Sequence, residues 1–577
     1  MNGGSPSDGY WGRRAPTLRE RGGRLPVALV FPELEDSALA TLGWQVVYRL
    51  LASSDAFVVE RFCLGPDTAP LGLDSPRPLS DFPLICLSLN FEGDLPVALA
   101  LLEQSGLPLR AADRTEWPLV MAGGPLAFLN PFPLGPALDF VFVGEAEAGF
   151  LDIGHVLARA WLNGLDRSRA LDAVAELPGV LLPGHTQRPV SRVLAPGPPG
   201  ILERPAFSAF VSPVSRFPDM LLLEVNRGCP YGCRFCAAGF MYRPPRQARL
   251  ADLQDIVQTT SPRRVGLVGT ALTDWPDLLP FLRWLHDRKT GFSLSSLRAD
   301  GLDYPFLEFM RRTGTRSLTF ALEGSSSRLR RAMNKNLDEN RFLQAVAWVS
   351  QLKFNHLKIY LILGWPDEGS EDMAELDAFL QRIQDVRTQG RGNRSQGLEL
   401  VTVSASFLVP KPWTPMQWAP MPSEEDLAGL FQHLKRMVSR HRGMKCSGEN
   451  PFQARVQALL ARGDERLFPL LELAADGSSW KKILKGHEDL VTELLDRQRD
   501  PDEIFAWERL DIGVNRVHLW REWERFTAGR PTPPCPETGC LSCRRCGLDD
   551  HLRASGLENE PQIFAEDIHA LHRPETS

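Results

Sequence analysis

The chain has 577 residues, 43% hydrophobic and 24% charged, with a net charge of −6 and an isoelectric point near 6.1. That length exceeds one ordinary core and predicts about two to four domains. The balance gives no support for broad electrostatic binding to nucleic acid, and no apolar run reaches the roughly 20 residues that cross a bilayer.

Residues 1–23 are rich in Gly, Ser and Arg, with no apolar stretch of signal-peptide length after the arginines. They read as a flexible tail without a secretion signal, and the expected compartment is the cytoplasm. From Leu25 the pattern changes. LPVALVF reads as a buried strand and ALATLGWQVVYRLLAS has the apolar spacing of a helix. FVVERFC, PLICLSL, PLVMAGG and FVFVGE follow as further short apolar runs. Strand and helix alternating at this spacing predict an α/β, Rossmann-like domain with a parallel sheet over 24–190. The proline-rich segment 191–219 reads as a linker, or as an extended strap across a surface.

A second alternating series occupies 220–422. Its strand candidates are MLLLEVN, RRVGLVG, FSLSSLR, SLTFALE, HLKIYLILG and LELVTVSASFLV, with helical stretches between them. Six such units predict a partial (β/α)6 barrel of the TIM type, whose chemistry sits at the C-terminal strand ends. Residues 423–530 lose the alternation and read as mostly helical. A cysteine-rich metal site is expected at 531–548 and a polar tail at 549–577.

The ten cysteines are clustered. Cys229, Cys233 and Cys236 crowd one loop, and Cys535, Cys540, Cys543 and Cys546 crowd another, while Cys63, Cys86 and Cys446 stand alone. Tight clusters in a large chain point to metal thiolates rather than disulfides. The isolated three read as small buried hydrophobes. In LLLEVNRGCPYGCRFCAAG the cysteines follow an apolar strand at once, so they sit at the C-terminal end of the first barrel strand. Three thiolates at this spacing hold three corners of a [4Fe–4S] cluster and leave the fourth iron open to a small molecule. A three-cysteine zinc site completed from a distance is the competing reading. The four tail thiolates make a complete metal site, either a second [4Fe–4S] cluster or zinc, with Arg544 and Arg545 offsetting their charge.

Cys-x3-Cys-x-aromatic-Cys after a first barrel strand resembles the radical S-adenosylmethionine (SAM) superfamily. The resemblance implies that SAM chelates the open iron through its methionyl amine and carboxylate. One electron, from a reductant such as flavodoxin or ferredoxin, then splits the S–C5′ bond to give a 5′-deoxyadenosyl radical. It also implies that Phe235 packs near the adenine and that Ser296 and Arg298 end the third strand in the site. By the same resemblance Glu323 contacts the ribose or amine, and a side chain at Gly364 would block the adenine. Read without it, Glu323 caps a helix and Gly364 makes a turn.

MAGGPLAFLNPFPLGPALDFVFVGEAEAGF resembles the cobalamin-binding-like domain that precedes many such barrels, with Gly123 and Gly124 letting backbone approach a ligand. The lower-ligand pattern Asp-x-His-x-x-Gly is absent, and the loop PELEDSALATLGW carries no histidine. Either cobalamin binds without that ligand, or the domain keeps the fold and has lost the cofactor; the second is the reading taken. Together with RGCPYGCRFCAAGFMYRP, SLRAD, FLVPKPWTPMQW and LARGDERL, the chain is similar over about 25–547 to one family of radical SAM proteins. Its members carry this N-terminal domain and a C-terminal cysteine cluster, and the likeness supplies a mechanism class and no reaction. In FLVPKPWTPMQW, Trp413, Trp418 and Lys411 either line the barrel mouth or form a rigid strap.

The expected function is radical chemistry on a small-molecule or RNA substrate, with no membrane partner. Methyl or methylthio transfer is one alternative. A non-catalytic iron–sulfur electron carrier or sensor is the other, and an empty cluster corner argues against it.

Overall fold

The computed structural model describes residues 10–12, 18–66, 69–186, 188–198, 200–295, 297–392, 397–536 and 539–554. The N-terminal sheet contains β1 (Leu25–Phe31), β2 (Phe57–Leu64), β3 (Pro70–Gly72), β4 (Leu84–Ser88), β5 (Leu119–Gly123), β6 (Phe140–Phe142) and β7 (Val180–Leu181). Its order is β3-β2-β1-β4-β5-β6-β7. The five central strands run parallel and the two edge strands are antiparallel to their neighbours. β1 to β6 are buried on both faces apart from strand ends and the edge strand β3, which is why they appear as unbroken apolar runs in the sequence. Strand order reverses between β1 and β4. In an open sheet of this kind the crevice outside the carboxyl ends of those strands is where a ligand fits.

β8 (Val190–Ser191) begins the proline-rich segment and pairs with β18 (Leu510–Asp511), far along the chain. The segment then straps the free edge of the first barrel strand, β9 (Met220–Glu224): Ser208 N–H donates to Leu222 O at 3.0 Å and Glu224 N–H to Ala206 O at 2.8 Å. Residues 10–12, read as part of a flexible tail, dock on this strap. Trp11 N–H donates to Ala209 O at 2.8 Å and its ring meets Tyr48 edge-on at 5.8 Å. A large aromatic that finds an apolar wall gives up its freedom for that burial.

After β10 (Asn226–Arg227) and β11 (Arg246–Gln247), the barrel continues with β12 (Arg264–Val268), β13 (Gly291–Ser293), β14 (Ser317–Glu323), β15 (His356–Leu363), β16 (Leu400–Phe407) and β17 (Met444–Gly448). β13, β12 and β9 form one parallel sheet and β14 to β17 a second. A parallel bridge from Leu297 to Phe320 joins them. The six predicted strands are present, and a seventh, β17, lies inside the segment read as helical. Its sequence MKCSG is mostly polar and only Met444 in it is buried, so no apolar run announced it. Cys63 and Cys86 are core residues, whereas Cys446 in β17 is only partly covered.

The FLVPKPWTPMQW segment is a strap. Trp418 is fully buried against Phe505 and Trp520. Lys411 pairs with the buried Glu92 of the N-terminal domain, which also accepts from Gln457 at 2.9 Å. No helix among the described residues is long and apolar enough to cross a membrane.

Candidate active site

The loop that carries Cys229, Cys233 and Cys236 is pinched at its base, where β10 and β11 pair antiparallel. Gly228 opens it with φ +79°, and a Cβ there would lie 2.3 Å from Tyr242 O, so backbone freedom and close approach both demand glycine. Thr270, beyond β12, donates its hydroxyl to Gly228 O. Within the loop Cys236 N–H donates to Cys233 O and Gly239 N–H to Cys236 O, each at 3.0 Å. The three thiols are free and partly buried. Burial pushes Cys229 up to about 12 and Cys233 up to about 11, so both stay neutral near pH 7 unless a metal binds them.

Among the described residues no three His, Cys, Asp or Glu side chains gather as they do around one metal ion. Thiolates on one tetrahedral zinc stand about 3.8 Å apart. In a cubane each thiolate takes its own iron and the sulfurs stand further apart. The three free thiols on one loop are the donor set that would hold three corners of a cluster.

Around the loop stand most of the residues read from the sequence. Phe235 meets Trp365 edge-on at 5.5 Å. Gly364, just before that tryptophan, has φ +83°, and a Cβ would reach Leu427 Cδ2 at 2.8 Å. Its missing side chain thus answers to the turn and to packing on Leu427. Glu323 ends β14 with φ +68°, a strained conformation for a residue with a side chain. Its carboxylate lies 3.9 Å from Lys335 Nζ; burial raises its pKa and Lys335 draws it back. Arg298 lies 4.3 Å over the Tyr231 ring and 3.0 Å from Asp300. Ser296 lies outside the described residues.

Several neighbours carried no sequence signal of their own. Lys335 approaches Cys233 and Cys236 as well as Glu323. Asn334 bridges, donating from Nδ2 to Gly232 O at 3.1 Å and accepting Thr532 N–H at 2.8 Å. Glu368 accepts from Gly364 N–H at 2.7 Å and from the Ser325 hydroxyl at 2.6 Å, tying the end of β15 to that of β14. The GWPDE run could have suggested Glu368; nothing near Lys335 suggested it. Arg234, between the second and third cysteines, is fully buried and donates to Glu522, to Arg530 O and to the Thr532 oxygen, all supplied by the C-terminal region.

Beside the loop, a cavity of about 400 Å³ opens between the two sheets. The carboxyl ends of β4 and β5 (Ser88, Met121, Gly123) wall one side; Asn226, Arg227 and Thr270 of the barrel wall the other. Gly123 and Gly124 prove different. A Cβ on Gly124 would strike Leu89 O at 2.6 Å and its φ is +95°, whereas a Cβ on Gly123 meets nothing within 4 Å. The fold needs Gly124; only an occupant of the cavity needs Gly123. Gly124→Ala is expected to cost about 1–3 kcal/mol and Gly123→Ala less than about 0.5 kcal/mol. Denaturant midpoints of the two variants check the contrast.

The core of the chain, residues 223–380, matches the family model of the radical SAM superfamily. The chain belongs to the radical SAM superfamily. It is a radical SAM enzyme, and that family implies a [4Fe–4S] cluster and SAM. Residues 43–183 match the model of the N-terminal domain of radical SAM proteins. An uncharacterized protein of Methanocaldococcus jannaschii is 26% identical over 428 residues, 73% of this chain and 87% of that one. Two solved structures are similar. The radical SAM methyltransferase TsrM from Kitasatospora setae, with cobalamin and a [4Fe–4S] cluster bound, is 15% identical over 70% of this chain and 76% of its own, with a TM-score of 0.47. The cobalamin-dependent SAM radical enzyme OxsB is 14% identical over 92% of this chain and 84% of its own, with a TM-score of 0.45.

Proposed function

We propose that the protein cleaves SAM reductively at the Cys229–Cys236 loop, and that the resulting 5′-deoxyadenosyl radical acts on a small-molecule substrate lodged in the neighbouring cavity. The observation that carries this reading is the loop itself: three free thiols at the C-terminal end of the first barrel strand, beside a half-open cavity. When bound, the cluster supplies a single electron and an open iron that SAM chelates. The chain's own residues do the rest. Cys229, Cys233 and Cys236 hold three corners, and Lys335 offsets part of their negative charge. Phe235 and Trp365 form an aromatic wall next to the loop. Glu323, strained and paired with Lys335, is positioned to accept from a cofactor hydroxyl or amine.

The cavity supports a small molecule over RNA. Leu29, Val46, Met121 and Phe142 make much of its lining apolar. Arg227 at its wall is held by Glu145, Glu147 and Glu224 at 2.8–3.1 Å, so its charge is already spent against carboxylates rather than offered to phosphate. No histidine lines the cavity, so a cobalamin there takes no imidazole from it. Both readings fit that lining: cobalamin bound without the imidazole, or a domain that keeps the fold without the cofactor.

The test is anaerobic reconstitution with iron and sulfide, then SAM and dithionite. 5′-Deoxyadenosine and methionine are expected to accumulate together. SAM recovered intact from a protein with its iron in place would overturn the proposal.

A further inference from the structure

The four tail cysteines do not hang free. Cys535 N–H donates to Pro230 O at 2.8 Å, and Pro230 directly follows Cys229. Cys535, Cys540, Cys543 and Cys546 line one small enclosed space whose other walls include Pro230 and Gly232 of the first cysteine loop. The two thiol clusters, some 300 residues apart in sequence, therefore stand back to back.

Into that space reaches Arg243, only 5% exposed. Its Nε donates to Gly239 O at 2.8 Å, its guanidinium carbon lies 4.8 Å over the Phe240 ring, and it lines the same space as Cys535, Cys540, Cys543 and Cys546. Among the described residues Arg243 forms no ion pair with a carboxylate. A guanidinium keeps its proton, and a buried cation without a counter-ion is costly. Neutral thiols do not provide that counter-ion; thiolates held by metal do. Arg544 and Arg545 were the cations expected here. Arg545 does line the space and draws the Cys535 thiol down, while one of its guanidinium nitrogens donates to Pro533 O and Pro534 O at 2.7 and 3.0 Å; Arg243 is a second cation in the same space.

We propose that Cys535, Cys540, Cys543 and Cys546 hold a second iron–sulfur cluster with Arg243 as its buried counter-ion, and that this centre pins the first cysteine loop from behind. All four corners are closed by thiolate, so SAM has no iron to chelate there. The pinning acts through the Cys535–Pro230 contact and through Asn334, which grips Gly232 on one side and Thr532 on the other.

The experiment is metal analysis and EPR of the anaerobically reconstituted full chain and two variants, Cys540→Ala/Cys543→Ala and the Cys229→Ala/Cys233→Ala/Cys236→Ala triple. About eight irons per chain are expected in the parent and about four in each variant. Added SAM is expected to change the EPR signal of the tail variant and leave that of the triple variant unchanged. Arg243→Met is expected to lose tail iron, and Arg243→Lys to keep part of it. In the tail variant the first cluster is expected to be held about 10-fold more weakly against a chelator. Four irons in the parent, all lost in the triple variant, overturn the second cluster and leave the radical reading intact. One zinc per chain beside four irons also overturns it. Unchanged chelator resistance overturns the pinning. Eight irons with intact SAM sink the radical reading alone.

Discussion

Replacing any one of Cys229, Cys233 and Cys236 by alanine is expected to reduce 5′-deoxyadenosine formation by at least about 1,000-fold, because the electron has no other route into SAM. The effect is all-or-none in kind. With two thiolates a bound cubane would lose a corner, and its open iron would no longer be the distinct one. The substitutions are mild for the fold: each removes a partly buried thiol from a loop whose backbone is set by Gly228, by the β10–β11 pair and by Arg234. Thermal unfolding of the metal-free variants is therefore expected to match that of the metal-free parent within a few degrees. Product assays and melting curves on the same preparations separate chemistry from folding. Substantial 5′-deoxyadenosine from a Cys233→Ala protein would remove the loop from the reaction.

The second large effect concerns stability. Glu522→Ala is expected to cost about 3–5 kcal/mol, since it leaves the Arg234 guanidinium buried and without its carboxylate. Arg234 Nε and Nη2 donate to Glu522 Oε2 at 3.1 and 2.9 Å, and neither side chain is appreciably exposed. Thr532 adds its hydroxyl to the same carboxylate at 2.7–2.8 Å. Glu522→Gln keeps the acceptor oxygen and loses the charge, so a smaller loss is expected from it. Denaturant unfolding at neutral pH measures both. Because Arg234 sits inside the cysteine loop, the alanine variant is also expected to bind less iron at the first site. A loss below about 1 kcal/mol would mean that water or another group compensates the guanidinium.

Much of the framework was legible because buried parallel strands are continuous apolar runs. LPVALVF, PLICLSL and HLKIYLILG became β1, β4 and β15 almost residue for residue. The cysteine loop was legible because its ligands are close in sequence and follow a strand at once. What stayed hidden depends on tertiary approach. MKCSG forms β17 only because β16 offers it an open edge. Arg234 and Glu522 are 288 positions apart, and neither carries a local mark of the other. Arg243 belongs to RGCPYGCRFCAAGFMYRP yet lies in the space lined by the tail thiols, which no spacing could show. The two glycines of MAGGP look alike in the sequence, and only the position of Leu89 separates the one the fold requires from the one that faces open space.

In the proposed reading, one iron at the Cys229–Cys236 loop is free of protein sulfur and takes SAM directly. The most direct measurement is pulsed EPR of the reduced tail variant, mixed anaerobically with SAM labelled at the methionyl nitrogen and carboxylate. Hyperfine coupling from both labels to the cluster spin is expected. A cluster signal in which neither label appears, with SAM present in excess, would contradict it.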